Sequence, residues 1–420
     1  MAGTGCVRVA VVAGLMAAAA AGKDWPQWRG PARDGKSEET GIITSWKTKK
    51  PKLVWMAEGA GEGYASVAVV GDRIYTAGNF DGGQGVVVLG SKDGKLLWRK
   101  VLTGREPQHG SPGARCTPTV DGGRLYVTTS DGLVACLSTA GEVVWKKDFE
   151  DEWGGRMMSG WGFAESVLVD GDVAVCTPGG RDALMVALDK KTGAEVWRCK
   201  APDLGDNGND GAGYASAVIS NGAKVKQYVQ MTGRGLVGVR ASDGRLLWHY
   251  NRIANRTANI PDALVSGDHV FCSTGYGAGA ALLRLTRDGD GVKAEEVYFL
   301  NSRTLQNHHG GMVLVDGYVY CGHKHNGGDP ICIELKTGKV MWGPEKPAGR
   351  RSGCVTYADG HLIYRYESGE VALVEATPKG YRPKGSFKPE HQERESWAHP
   401  VVSGGRLYLR EQDKVMCYQL

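Results

Sequence analysis

Five tryptophans close one recurring pattern: Gly94-Lys-Leu-Leu-Trp98, Gly141-Glu-Val-Val-Trp145, Gly193-Ala-Glu-Val-Trp197, Gly244-Arg-Leu-Leu-Trp248 and Gly338-Lys-Val-Met-Trp342. Lys52-Leu-Val-Trp55 opens the series, and weaker copies end at Phe299 and Phe387, with intervals of 43 to 52 residues. A second element recurs in step, as in Gly71-Asp-Arg-Ile-Tyr75, Gly122-Gly-Arg-Leu-Tyr126 and Gly404-Gly-Arg-Leu-Tyr408. Each unit therefore reads as strand A, a glycine turn, strand B, a variable loop, strand C, an Asp/Thr-Gly turn and strand D ending in an aromatic residue. Four antiparallel strands per repeat of this length make a propeller blade, and the copies number eight. The 63 glycines among 420 residues fit this demand for tight turns.

The expected fold is all-β: an eight-bladed β-propeller of four-stranded antiparallel blades over residues 51–420, forming a single domain. Its last unit stops after a third strand, Lys414 to Tyr418, whereas Leu53 to Trp55 is a fourth strand without a blade. Pairing the two closes the ring and removes the exposed edges. Residues 22–50 form an N-terminal arm. Residues 1–21 read as a signal peptide, with Arg8, an apolar stretch from Val9 and the small residues Ala17 to Ala21. That stretch is too short to span a bilayer, and Cys6 precedes it, so the mature chain is expected to be exported to the periplasm or cell exterior without a lipid anchor or membrane span. The nine later cysteines include no C-x-x-C pair and read as small core residues. Lys plus Arg total 51 against 46 for Asp plus Glu, with no basic run, which excludes nucleic acid as partner.

At Ala187, Asp189, Thr192, Gly193 and Trp197 the chain resembles the repeat of the pyrroloquinoline quinone (PQQ)-like propellers, which is shared by quinoprotein alcohol dehydrogenases and by the propeller of the outer-membrane protein assembly machinery. Asp24-Trp-Pro-Gln-Trp-Arg-Gly-Pro31 looks like the opening segment of secreted propellers of this type, and is expected to pack on the blades. The resemblance implies two functions. One is a non-catalytic binding or scaffold protein that recognises a protein, peptide or polysaccharide. The other is a dehydrogenase oxidising alcohols or sugars, with PQQ held at the propeller centre by arginine and tryptophan and Ca²⁺ polarising its carbonyls. The chain lacks the adjacent cysteine pair of those enzymes, and no catalytic aspartate carries over by motif. The binding function is the expectation, and the chain is expected to be a monomer.

Strand alternation places the tight A–B and C–D turns on one face and the long B–C and D–A connections on the other. Loops presented by a rigid scaffold carry function. On that face, arginines beside aromatic rings suit an anionic or carbohydrate ligand: Arg156, Arg256, Arg350 and Arg351 with Trp161, Tyr214 and Trp397. Asp206 and Asp210 in Asp206-Asn-Gly-Asn-Asp210 offer the oxygen density of a Ca²⁺ loop without the spacing or terminal glutamate of an EF-hand. His308, His309, His323 and His325 gather in one unit, where imidazoles favour Zn²⁺ or Cu²⁺; His309 also belongs to the ligand-binding set. Gly275-Tyr-Gly-Ala-Gly279 has no following helix and reads as a B–C loop.

Overall fold

The computed structural model describes residue 1 and residues 24–200 and 203–420; the expected signal peptide lies outside the described residues apart from Met1. Eight four-stranded antiparallel sheets follow one another around a ring. The third is representative: Leu168–Asp170, Val173–Cys176, Met185–Asp189 and Glu195–Cys199 run from the axis outwards. Blades 1 to 7 occupy residues 68–101, 119–148, 168–199, 218–250, 264–300, 312–342 and 353–387. Blade 8 takes three strands from 401–419 and its outer strand from the other end of the chain, where Lys52–Ala57 pairs with Lys414–Gln419. The closure expected from the unmatched Trp55 strand is therefore present, and it leaves the ring without a free join.

The core lies between blades. Both faces of a blade pack on neighbours, so strands such as Val86-Val-Val-Leu89 are buried on both sides instead of alternating with solvent. Eight apolar clusters result, one per gap, including Tyr126, Cys136, Val186 and Leu188 between blades 2 and 3. All nine cysteines among the described residues are buried and free, and all but Cys354 lie within these layers.

The repeated tryptophan is the latch between blades, except that the Trp248 indole N–H donates to Gln227 Oε1 of its own blade at 2.6 Å. The indole N–H of Trp98 donates to Thr139 O at 3.2 Å, Trp145 to Lys190 O at 3.2 Å, Trp197 to Ala241 O at 3.0 Å and Trp342 to Thr377 O at 2.7 Å. Each acceptor belongs to the C–D turn of the following blade. Trp55 closes the circle by donating to Ser91 O in blade 1. The ring also lies on the turn glycine: a Cβ on Gly193, whose φ is +74°, would sit 2.7 Å from Trp145. Blade 5 corrects the sequence reading. Tyr298 and not Phe299 takes the latch position, with its hydroxyl on Leu335 O at 2.7 Å and its ring against Gly338. A bulge after Leu282 sets this register, as bulges beside Trp98 and Trp145 do in blades 1 and 2; in blade 7 the bulge puts Gly385 and not Phe387 at this position, where Trp46 of the arm packs on it.

Residues 24–39 enter the ring from the A–B turn face. Gly71 N donates to Asp24 Oδ1, Trp25 bridges Val69, and Val120 N donates to Pro26 O. Arg33 binds Ser166 O and Val167 O, Arg29 binds Met312 O, Tyr357 N donates to Gly35 O, and Ser37 Oγ donates to Val402 O. The segment thus touches innermost strands all round the ring and corks the axial channel. Trp46, fully buried, then packs edge-on against Phe387 of blade 7.

Candidate functional site

Because the channel is corked from below, it is a blind cavity of about 370 Å³ opening on the B–C and D–A face. Its floor comes from the arm: Trp28 Nε1 donates to Asp262 Oδ2 at 2.6 Å, and the Arg29 guanidinium lies 3.7 Å from the same carboxylate. Asp262 Oδ1 also accepts from Ser216 N at 2.7 Å. Burial lowers the Arg29 pKa, and Asp262 offsets part of that.

The walls are aromatic. Tyr64 and Trp397 lie 4.4 Å apart, Trp161 and Tyr214 meet edge-on at 6.1 Å, and Tyr276 reaches in from the B–C turn of blade 5. Tyr276 holds a left-handed backbone at φ +57°, uncommon for a side chain of its size and supported here by the glycines around it. The Tyr214 hydroxyl bonds Ser159 Oγ at 2.7 Å, which donates in turn to Thr257 O, locking loops of blades 3 to 5 together.

The lining charges balance. Arg29, Arg115 and Arg351 are matched in number by Asp262, Glu367 and Glu395. Arg115 is bound to the carbonyls of Gly110, Ser111 and Gly113, and lies over the Tyr64 ring. Arg351 is more exposed and bridges Glu395 Oε1 at 3.4 Å and Glu367 Oε2 at 3.8 Å. Burial alone would raise the Glu367 carboxyl, but His309, Ser352 and Arg351 outweigh it and hold the group below its ordinary value.

On one wall His308 accepts or donates to Ser352 Oγ at 2.7 Å through Nδ1 and to the Tyr276 hydroxyl at 3.0 Å through Nε2. His309 and His325 each lie with ring centroid 4.3 Å from His308. Burial first, then these two imidazoles, push His308 down to about 2, so it is neutral at ordinary pH. His309 Nε2 lies 2.8 Å from Glu367 Oε1.

The structure brings Trp161, Tyr214, His308, His309, Arg351 and Trp397 to the cavity. His325 stands just behind it. His323 is turned away and buried, with Nδ1 accepting from Gln306 N. Arg156 and Asp210 pair with each other at 3.0 Å on the exposed rim, and Arg234 takes the second oxygen of Asp210 at 2.8 Å, which occupies the carboxylate once read as Ca²⁺-like. Asp206 and Arg256 are exposed, as is Arg350, which lines a shallow groove beside the cavity with Arg394. Sequence reasoning missed Trp28, Arg29, Tyr276, Asp262 and Glu367. The two-face topology was the available signal for Tyr276 and Glu367, since short B–C turns share the rim with the long loops.

The family model described as outer membrane protein assembly factor BamB matches residues 39–148 and 106–344. The chain belongs to this family of PQQ-like repeat propellers. Among solved structures it is similar to BamB from Moraxella catarrhalis, at 13% identity and TM-score 0.60, covering 88% of this chain and 98% of that one. It is also similar to a europium-containing methanol dehydrogenase, at 12% identity and TM-score 0.65, covering 93% and 90%. A third is quinohemoprotein alcohol dehydrogenase ADHIIG from Pseudomonas putida HK5, at 14% identity and TM-score 0.63, covering 94% and 80%. At these identities the likeness is one of fold. No curated protein matches the chain in sequence.

Proposed function

We propose that this chain is an exported binding propeller that seats a saccharide unit of a glycan in its axial cavity. The observation that carries the reading is the charge-balanced, ring-lined blind cavity: aromatic faces suit the C–H surface of a sugar, and paired arginines and carboxylates suit its hydroxyls. A blind pocket favours a chain end or side branch over a strand passing through. The family's protein-assembly description supports the binding class, with the partner's glycan or polypeptide as the alternative occupants.

The dehydrogenase reading is less well supported by the residues present. PQQ is a tricarboxylate, and of the three lining arginines Arg29 and Arg351 already face carboxylates while Arg115 is held by three backbone carbonyls. Ca²⁺ takes six to eight oxygens, whereas the metal-capable cluster among the described residues is two imidazoles and one carboxylate. None of the cysteines among the described residues lines the cavity. An exported location rests on residues 1–21; no helix among the described residues is long and apolar enough to cross a membrane. A glycan array probed with the labelled mature chain tests the reading. Selective binding of one glycan class supports it. Binding to none, together with a tight PQQ–Ca²⁺ complex and dye-linked alcohol oxidation, would replace it with the enzyme.

A further inference from the structure

On the histidine wall of the cavity, three potential ligand atoms, one each from His308, His309 and Glu367, lie within 4.8 Å of one another. His309 Nε2 and Glu367 Oε1 form a buried pair 2.8 Å apart, with the His308 ring centroid 4.3 Å from that of His309. Beyond each other, neither atom of the pair has a hydrogen-bond partner, so an ion can enter between them without stripping either of another bond. The Glu367 side chain is only 4% exposed, so water cannot serve both of its oxygens freely.

We propose that His308, His309 and Glu367 bind a divalent transition ion of the Zn²⁺ or Cu²⁺ type. Two imidazole nitrogens and one carboxylate oxygen match the borderline character of these ions and disfavour Ca²⁺ or Mg²⁺. Zinc needs about 2.0–2.1 Å to each ligand, so binding parts the His309 Nε2–Glu367 Oε1 pair slightly and draws the more distant ligand atom in. His308 carries hydroxyls at both ring nitrogens, from Ser352 and Tyr276. One of them can orient the ring while the other yields its nitrogen to the ion, the usual outer-shell arrangement. His325, whose Nδ1 is also buried and unpartnered, supplies the nearest further nitrogen. All three ligands line the cavity, so the open coordination position faces whatever the cavity holds. The site does not depend on the occupant being a saccharide.

The test is competition titration of the tag-free, chelator-stripped chain with Zn²⁺ and Cu²⁺ against a chromophoric chelator. The native chain is expected to take one ion, unaffected by excess Ca²⁺. His309→Ala and Glu367→Gln should each weaken binding on the order of 100-fold or more. His391→Ala, a loop histidine beside Glu393 and outside the cluster, should leave it unchanged. Circular dichroism establishes that each variant retains its fold, and Glu367→Gln preserves side-chain shape. No stoichiometric ion on the native chain, or undiminished affinity in both ligand variants, overturns the proposal. Glycan binding measured on the stripped chain separates this result from the saccharide reading.

Discussion

Trp28 Nε1 donates to Asp262 Oδ2 at 2.6 Å, joining a residue ahead of the first blade to the entry loop of the fifth. Asp262 also holds Ser216 N and faces the Arg29 guanidinium, so one buried carboxylate fixes both the cork and the cavity floor. Asp262→Ala leaves a buried cation and two donors without this partner. Loss of about 3–5 kcal/mol is expected by urea denaturation, with the arm becoming more open to limited proteolysis. Unchanged stability would mean that the cork is not held here.

The tryptophan latch is tested at the turn glycines. Gly193→Ala places a Cβ against the Trp145 ring in a left-handed backbone, and should cost about 3 kcal/mol. Gly171→Ala shares the left-handed conformation, at φ +59°, with open space around the new atom, and should cost only about 1–2 kcal/mol. Equal midpoint shifts in thermal unfolding would show that the ring contact contributes little.

Arg365 and Glu411 form an ion pair at 2.8 Å with both side chains almost wholly buried. Glu411 also accepts from Ser396 Oγ and from Arg394 N, which anchors the loop carrying Trp397. Glu411→Gln should cost about 3 kcal/mol by leaving the cation uncompensated, and combining it with Arg365→Met should recover much of that loss. A double-mutant cycle on the denaturation free energies reads the coupling.

Glu165 is buried beside Thr177 and Gln230. Burial raises its pKa from 4.5 to about 7, against the hydrogen bonds from Thr177. The folded state therefore holds a proton that the unfolded state releases between pH 4.5 and about 7. Its contribution is full below pH 4.5 and is lost as pH rises through 7, about 3 kcal/mol in all. Glu165→Gln should remove this component from the stability profile between pH 5 and 8. A profile identical to that of the native chain would contradict the assignment.

The repeat made the ring legible because each latch tryptophan recurs with its glycine turn at blade spacing, and even the closure followed from the unmatched strand at Trp55. The blade 5 latch was misplaced by one residue because a bulge shifts which aromatic faces the next blade. The cork was not legible: Trp28 and Arg29 occur once, and their partners Asp262 and Met312 lie hundreds of residues away. The histidine wall was half legible. His308 and His309 stood out by composition, but Glu367 joins them only because neighbouring blades bring a D–A loop beside a B–C turn. His323 ends the second strand of its blade, whereas His325 lies in the following turn between the left-handed Lys324 and Asn326, so the two rings part.

The central claim is that the corked cavity seats a saccharide between its aromatic rings. Tryptophan-fluorescence titration with the glycan selected on the array tests it most directly, using the native chain, Trp397→Ala, Trp161→Ala and the rim variant Arg156→Ala. The account predicts saturable binding by the native chain, weakening of about 10–100-fold in each tryptophan variant, and no change in Arg156→Ala. Equal affinity in the native chain and both tryptophan variants would contradict it.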